Sequence, residues 1–192
     1  MEAEPSTDIV ADSEKELATI LEHWGRSAPP RLLRRGKQKD LEIWIMARFL
    51  KYLMQSDCLK YPIRIIASEA PDFLFSEGEF LHKVEIVEAV EPSEQRDKTA
   101  RAKEAEKYPD SVFPVMEFDD DLRCRHLKTC LTNALERKST VPSDWVILIY
   151  ANTEAVSFED ERKVAEWIAY MDLPKINAGT AYVLAGKHWH RL

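Results

Sequence analysis

Two acidic residues flank a hairpin signal, and their types and spacing could do chemistry. Asp72 lies in Pro71-Asp72-Phe73-Leu74-Phe75, and Glu85 lies in Lys83-Val84-Glu85-Ile86-Val87-Glu88-Ala89. Asp72 opens one expected strand and Glu85 sits inside the next. Ser76-Glu77-Gly78-Glu79 between them has the composition of a tight turn. In a strand, residues 85, 87 and 89 share one face, and 84, 86, 88 and 90 share the other. Whichever face is buried, Glu85 or Glu88 falls among apolar neighbours, where a lone charge is costly. It needs a cation, a hydrogen-bonded partner or a proton. Paired carboxylates on adjacent strands can converge on a hard cation such as magnesium, which takes oxygen ligands and keeps waters and phosphate oxygens. An ion held so orients a phosphodiester, activates a water and offsets developing charge.

These residues need elements to position them. Residues 1 to about 10 read as a loose acidic tail, followed by a single α/β domain over 11–192. A helix capped by Asp12 or Ser13 carries Leu17, Ile20, Leu21 and Trp24 as an apolar stripe. Gly25 and Ala28-Pro29-Pro30 end it. A basic connector follows, with Arg26, Arg31, Arg34, Arg35, Lys37 and Lys39. The segment from about Asp40 to Gln55 is apolar on most faces, the mark of a buried helix, and Glu42 and Arg48 are its conspicuous charges. Strands are expected over 62–67, 73–75 and 80–90. A charged helix is expected over about 91–108, and another over 119–137 with Leu127, Cys130, Leu131, Ala134 and Leu135 on one face. Trp145 to Tyr150 is a continuous apolar run, as a central strand requires. A helix over 158–171 and a strand over 180–185 complete the order. The last strand-helix-strand unit predicts a parallel pair, so the simplest assembly is a mixed sheet flanked by helices.

This order, with Pro71-Asp72, the hairpin, Glu85 and the upstream helix bearing Glu42, resembles the PD-(D/E)xK phosphodiesterase superfamily, the restriction-endonuclease-like fold. The resemblance spans roughly residues 39–186. It implies a magnesium-dependent nuclease in which Asp72 and Glu85 are metal ligands, assisted by Glu42 or Glu88. The Lys of the motif, two residues after the second acid, is replaced by Val87. Some members move that Lys to a neighbouring element, and the candidates are Lys83, Lys98, Lys128 and Lys138. The alternative is a catalytically degenerate member that serves as a protein-interaction or structural module, as a homodimer or within a larger complex.

Each of these residues also has a structural role open to it. Asp72 can initiate a turn, and Glu85 and Glu88 can be edge-strand charges. Glu42 can favour the helix dipole, and Asp119-Asp120-Asp121 can cap a helix. His188 and His190 share a side if the C-terminus is extended. The 27 basic and 34 acidic residues give a net charge of −7, which argues against a protein coated in basic charge but not against a local basic groove for nucleic acid. Three cysteines without C-x-x-C spacing predict no disulfide framework. No phosphate-binding glycine loop and no G-x-S-x-G occurs. The acidic start lacks a leader pattern, and no apolar run approaches the roughly 20 residues of a membrane helix. The expectation is a cytoplasmic protein that does not enter membranes.

Overall fold

A computed structural model describes residues 8–26, 38–91, 119–153 and 160–192, together with 96, 100, 107 and 156. Residues 1–7 of the expected tail, residues 27–37 of the basic connector, most of the helix expected over 91–108, and Lys98 lie outside the described residues.

The chain is α/β. Its elements are β1 (Asp8–Ala11), α1 (Glu14–Arg26), α2 (Gln38–Gln55), β2 (Ile63–Ala67), β3 (Phe73–Glu77), β4 (Phe80–Ala89), α3 (Asp120–Arg137), β5 (Trp145–Ala151), α4 (Glu161–Tyr170), β6 (Thr180–Ala185) and β7 (His188–Arg191). The strands form one seven-stranded sheet in sequential order. Strands β1 to β4 pair antiparallel, β4, β5 and β6 are parallel, and β7 returns antiparallel on β6. The parallel pair expected at the end is therefore β5 and β6, joined through α4.

Alternation along the strands separates two cores. Val84, Ile86, Leu148, Tyr150 and Leu184 face α1 and α2, where Leu17, Trp24, Ile45, Phe49 and Leu50 are buried. Val87, Ala89, Ile147, Ile149, Ala181 and Val183 face α3 and α4. On α3 the buried residues are Leu127, Cys130, Leu131, Ala134 and Leu135, the face expected from their spacing. β5 is buried on both sides, with Ile147, Leu148 and Ile149 all at 0% exposure, which is why its sequence is a continuous apolar run.

Two strands differ from the sequence reading. β1 begins at Asp8, inside the stretch read as a loose tail. Its ladder with β2 is reinforced by a bidentate pair, in which Arg64 Nε and Nη2 donate to the Asp8 carboxylate at 2.9 and 2.5 Å. β7 was not expected as a strand. Gly186, at φ +61°, begins the tight turn that folds it onto β6, a conformation that favours glycine. Trp189 Nε1 then donates to the Arg48 carbonyl at 3.2 Å, and Arg48 Nη2 donates to the Lys187 carbonyl at 2.8 Å. These bonds tie the last strand to α2. The three cysteines are free. Among the described residues, no helix is long and apolar enough to cross a membrane.

Candidate functional site

The sheet forks beside Asp72. β3 and β4 pair from Glu77–Phe80 down to Phe73–Val84, and there β3 begins. β4 continues to Ala89 alongside β5. The β4 amide of Ile86 thus lies beyond the first residue of β3, and the side chain of Asp72 caps it: Ile86 N–H donates to Asp72 Oδ2 at 2.7 Å. The loop leading in is closed by Ser68 N–H donating to the Asp72 carbonyl at 2.9 Å. Asp72 is therefore more than a turn initiator. Its carboxyl stands in for a missing strand partner.

Burial dominates the electrostatics of this carboxyl. Desolvation pushes its pKa up to about 6, the Ile86 amide opposes the shift, Glu42 and Glu85 raise it further, and Lys39 lowers it. Glu42 and Glu85, which come from opposite sides of the sheet, thus both act on Asp72.

Glu42 is held in the second turn of α2 and is 5% exposed. Its Oε1 accepts from Gln38 Nε2 at 2.9 Å. Its Oε2 is buried and accepts no well-aligned hydrogen bond. The Lys39 ammonium forms an ion pair with that oxygen at 3.1 Å. Lys39 also donates to the Ser68 carbonyl at 2.9 Å. Burial works against the Lys39 charge, but Glu42, Asp72 and Glu69 outweigh it and raise the pKa of the ammonium.

Glu85 faces α3 and is paired with Lys138, whose ammonium donates to Glu85 Oε1. Lys138 is the residue that caps α3, and its N–H bonds back to the Leu135 carbonyl at 3.0 Å. The buried face of α3 fixes where that helix ends, and so fixes where Lys138 can reach. Arg137, one residue earlier, donates through Nη2 to the Glu88 carbonyl at 2.6 Å. Both basic residues at this helix end thereby bind β4.

The remaining candidates lie elsewhere. Lys83 is ion-paired at 2.7 Å with Asp144, just before β5, and is not brought to Asp72. Lys128 is exposed on α3. Glu88 points to the α2 face, where the buried Asn152 donates to its Oε1. It is not among the groups acting on Asp72. Asp119 caps α3 by accepting from Leu122 N–H at 2.7 Å, and Asp120 pairs with Lys163 at 2.5 Å, so this acidic run does capping work. His188 lies 2.7 Å from Glu161.

The donor set at the fork consists of hard carboxylate oxygens, which is the chemistry magnesium selects, and the buried Glu42 Oε2 is paired with the Lys39 ammonium. The residues present fit such an ion in kind. As they stand, each carboxylate is held by a protein group, and among the described residues no three His, Cys, Asp or Glu side chains are grouped to hold a metal. The sequence reading named Glu42, Asp72 and Glu85. It counted Lys39 only as part of a basic connector, although the i, i+3 spacing of Lys39 and Glu42 on one helix face was there to be read. Compared with models of protein families, with curated proteins and with solved structures, the chain shows no match.

Proposed function

We propose that this chain is a metal-dependent phosphodiesterase acting on nucleic acid, a divergent relative of the PD-(D/E)xK superfamily with its lysine moved to the end of α3. One observation carries this reading: the Lys138 ammonium sits on Glu85 while Glu85 acts on a desolvated Asp72 whose pKa is raised to about 6. Perturbed titratable groups cluster where chemistry is done. Lys138 supplies the charge that Val87 cannot.

Asp72 and Glu85 would hold the ion, with Glu42 as the third acid. When bound, magnesium supplies charge stabilisation at the phosphate and a more acidic water. The chain's own residues do the rest. Ile86 N–H orients Asp72, so the carboxylate loses little freedom on binding. Lys138, held at the end of α3, would orient the attacking water or take its proton.

The test is calorimetric titration of magnesium and manganese into the wild type and Asp72→Ala, followed by nuclease assays on single- and double-stranded DNA and RNA. Binding in the wild type that is lost in the variant, together with metal-dependent cleavage, is the expected result. Wild type that neither binds nor cleaves sinks the proposal. A second reading is favoured by the pairing of every carboxylate with a protein group. In it the cluster is a closed structural network within a catalytically degenerate interaction module, and the same titration returns no heat.

A further inference from the structure

We infer that Arg48 is the core of a phosphate-binding site, in which its guanidinium and the Lys187 ammonium take a phosphate group where the parallel strands end. The inference does not depend on the metal centre proposed above.

A guanidinium drawn out of water calls for an acid beside it, and Arg48 has none. It lies in the middle of α2 and is half-buried. Its Nη2 donates to the Lys187 carbonyl at 2.8 Å, and its buried Nε has no acceptor. Of the five N–H donors of a guanidinium, the rest are unspent. Burial pushes the Arg48 pKa down, Tyr150 opposes the shift, and no carboxylate is among the groups acting on it. Glu88 shares that side of the sheet, opposite Tyr150, but Asn152 donates to it and it does not act on Arg48. The charge is therefore desolvated without a counter-ion.

The side chain is also held in place. Its guanidinium lies over the Trp44 ring, 5.1 Å from the centroid, and Trp44 meets Tyr150 edge-on at 5.5 Å. An aromatic wall on one side and the β6–β7 turn on the other leave little freedom to lose on binding. Tyr150 and Leu184, in register near the carboxyl ends of β5 and β6, mark where in the sheet this is, and Lys187 stands in the turn after β6. The carboxyl ends of parallel strands are where open α/β sheets bind their ligands. Lys187 is exposed, and its ammonium has no partner among the described residues. A guanidinium fork matches phosphate oxygens, and an ammonium adds a point charge. Two unpaired cations at one turn, in a chain of net charge −7, thus favour phosphate over a singly charged carboxylate.

The experiment is low-salt calorimetry with inorganic phosphate, and separately with a short single-stranded DNA lacking a terminal phosphate. The proteins are wild type, Arg48→Gln, Lys187→Ala and Asp72→Ala, with far-ultraviolet circular dichroism to check folding. Binding of phosphate identifies a free phosphate group as the ligand, and binding of DNA identifies the nucleic-acid backbone. With either probe, Arg48→Gln keeps a donor for the Lys187 carbonyl but loses the charge, and should bind about tenfold more weakly. Lys187→Ala should lose about threefold, and Asp72→Ala should bind as wild type does. If Arg48→Gln fails to fold, Arg48→Lys, which loses the fork, takes its place with the same expectation. Wild type that binds neither probe overturns the inference. Binding that is unchanged in the Arg48 variant, or lost in Asp72→Ala, overturns it too. A metal titration without heat leaves it standing.

Discussion

β5 and the fork beside Asp72 are neighbours in one sheet, and they solve opposite problems. β5 is buried on both sides; Ile147, Leu148 and Ile149 have no exposure, and its ladders run to β4 on one side and β6 on the other. Nothing in that segment requires a charge to leave water. At the fork the ladder stops, a carboxyl replaces a strand, and the charges of Glu42, Glu85 and Lys39 act on it, with Lys138 paired to Glu85. A chain selected only for stability would close that gap with another apolar pair, since isosteric apolar replacement of a buried ion pair is often neutral or stabilising. The fork spends stability, and sites that do so are characteristically sites of function.

The difference can be broken most forcefully at β5. Leu148→Ala removes a fully buried side chain packed between Val84, Ile86 and the α2 face. It should cost about 3–4 kcal/mol from lost transfer and the cavity left behind. Urea unfolding should show a lower midpoint at pH 4 and at pH 8 alike, because no titratable group is involved. The next effect belongs to the fork. Lys138→Met strips the counter-ion from Glu85, whose side chain is 16% exposed. The cost should be about 1–2 kcal/mol, between the values for surface and buried pairs. If the chain is the phosphodiesterase proposed above, cleavage should fall far more, by about a hundredfold or greater, as expected for a lost proton-transfer group. Equal small losses in stability and rate would mark Lys138 as structural only.

Legibility in the sequence followed how local each signal was. β5 and β6 fall at Trp145–Ala151 and Thr180–Ala185 because an apolar run bounded by polar residues carries its own evidence. The buried face of α3 was readable from its period for the same reason. β7 was not, since His188-Trp189-His190-Arg191 has little apolar alternation and its place depends on the Gly186 turn and on Arg48, 141 residues from Trp189. β1 depends on Arg64, 56 residues from Asp8. At the fork, the acids could be named by type and by their relation to a hairpin. The lysine could only be narrowed to candidates, because Lys138 and Glu85 are 53 residues apart and meet through the packing of α3. Lys83 looked suitable from its place two residues before Glu85, but its ammonium is paired with Asp144 at 2.7 Å.

The smallest effect has the most diagnostic sign. Asp72 titrates near pH 6 in the folded chain, against 3.8 ordinarily, chiefly because burial disfavours its charge. Between those values the folded state holds a proton that the unfolded state has released. Stability from this group therefore declines as pH rises from about 4 to about 6, and above that the full cost persists. Two units would correspond to about 3 kcal/mol; solvent screening at a half-buried position leaves roughly 1–2 kcal/mol. Asp72→Asn keeps an oxygen for the Ile86 amide and removes the charge. It should therefore be more stable than wild type by about 1–2 kcal/mol at pH 7.5 and no more stable near pH 4. Thermal melts at both pH values read this directly. If the proposed metal site is right, magnesium sharpens the contrast: it should raise the wild-type melting temperature at pH 7.5, where it offsets the desolvated carboxylate, and leave Asp72→Asn nearly unmoved. A variant destabilised at pH 7.5 would show that the Asp72 charge supports the fold, and the fork would then belong with β5 as part of the scaffold.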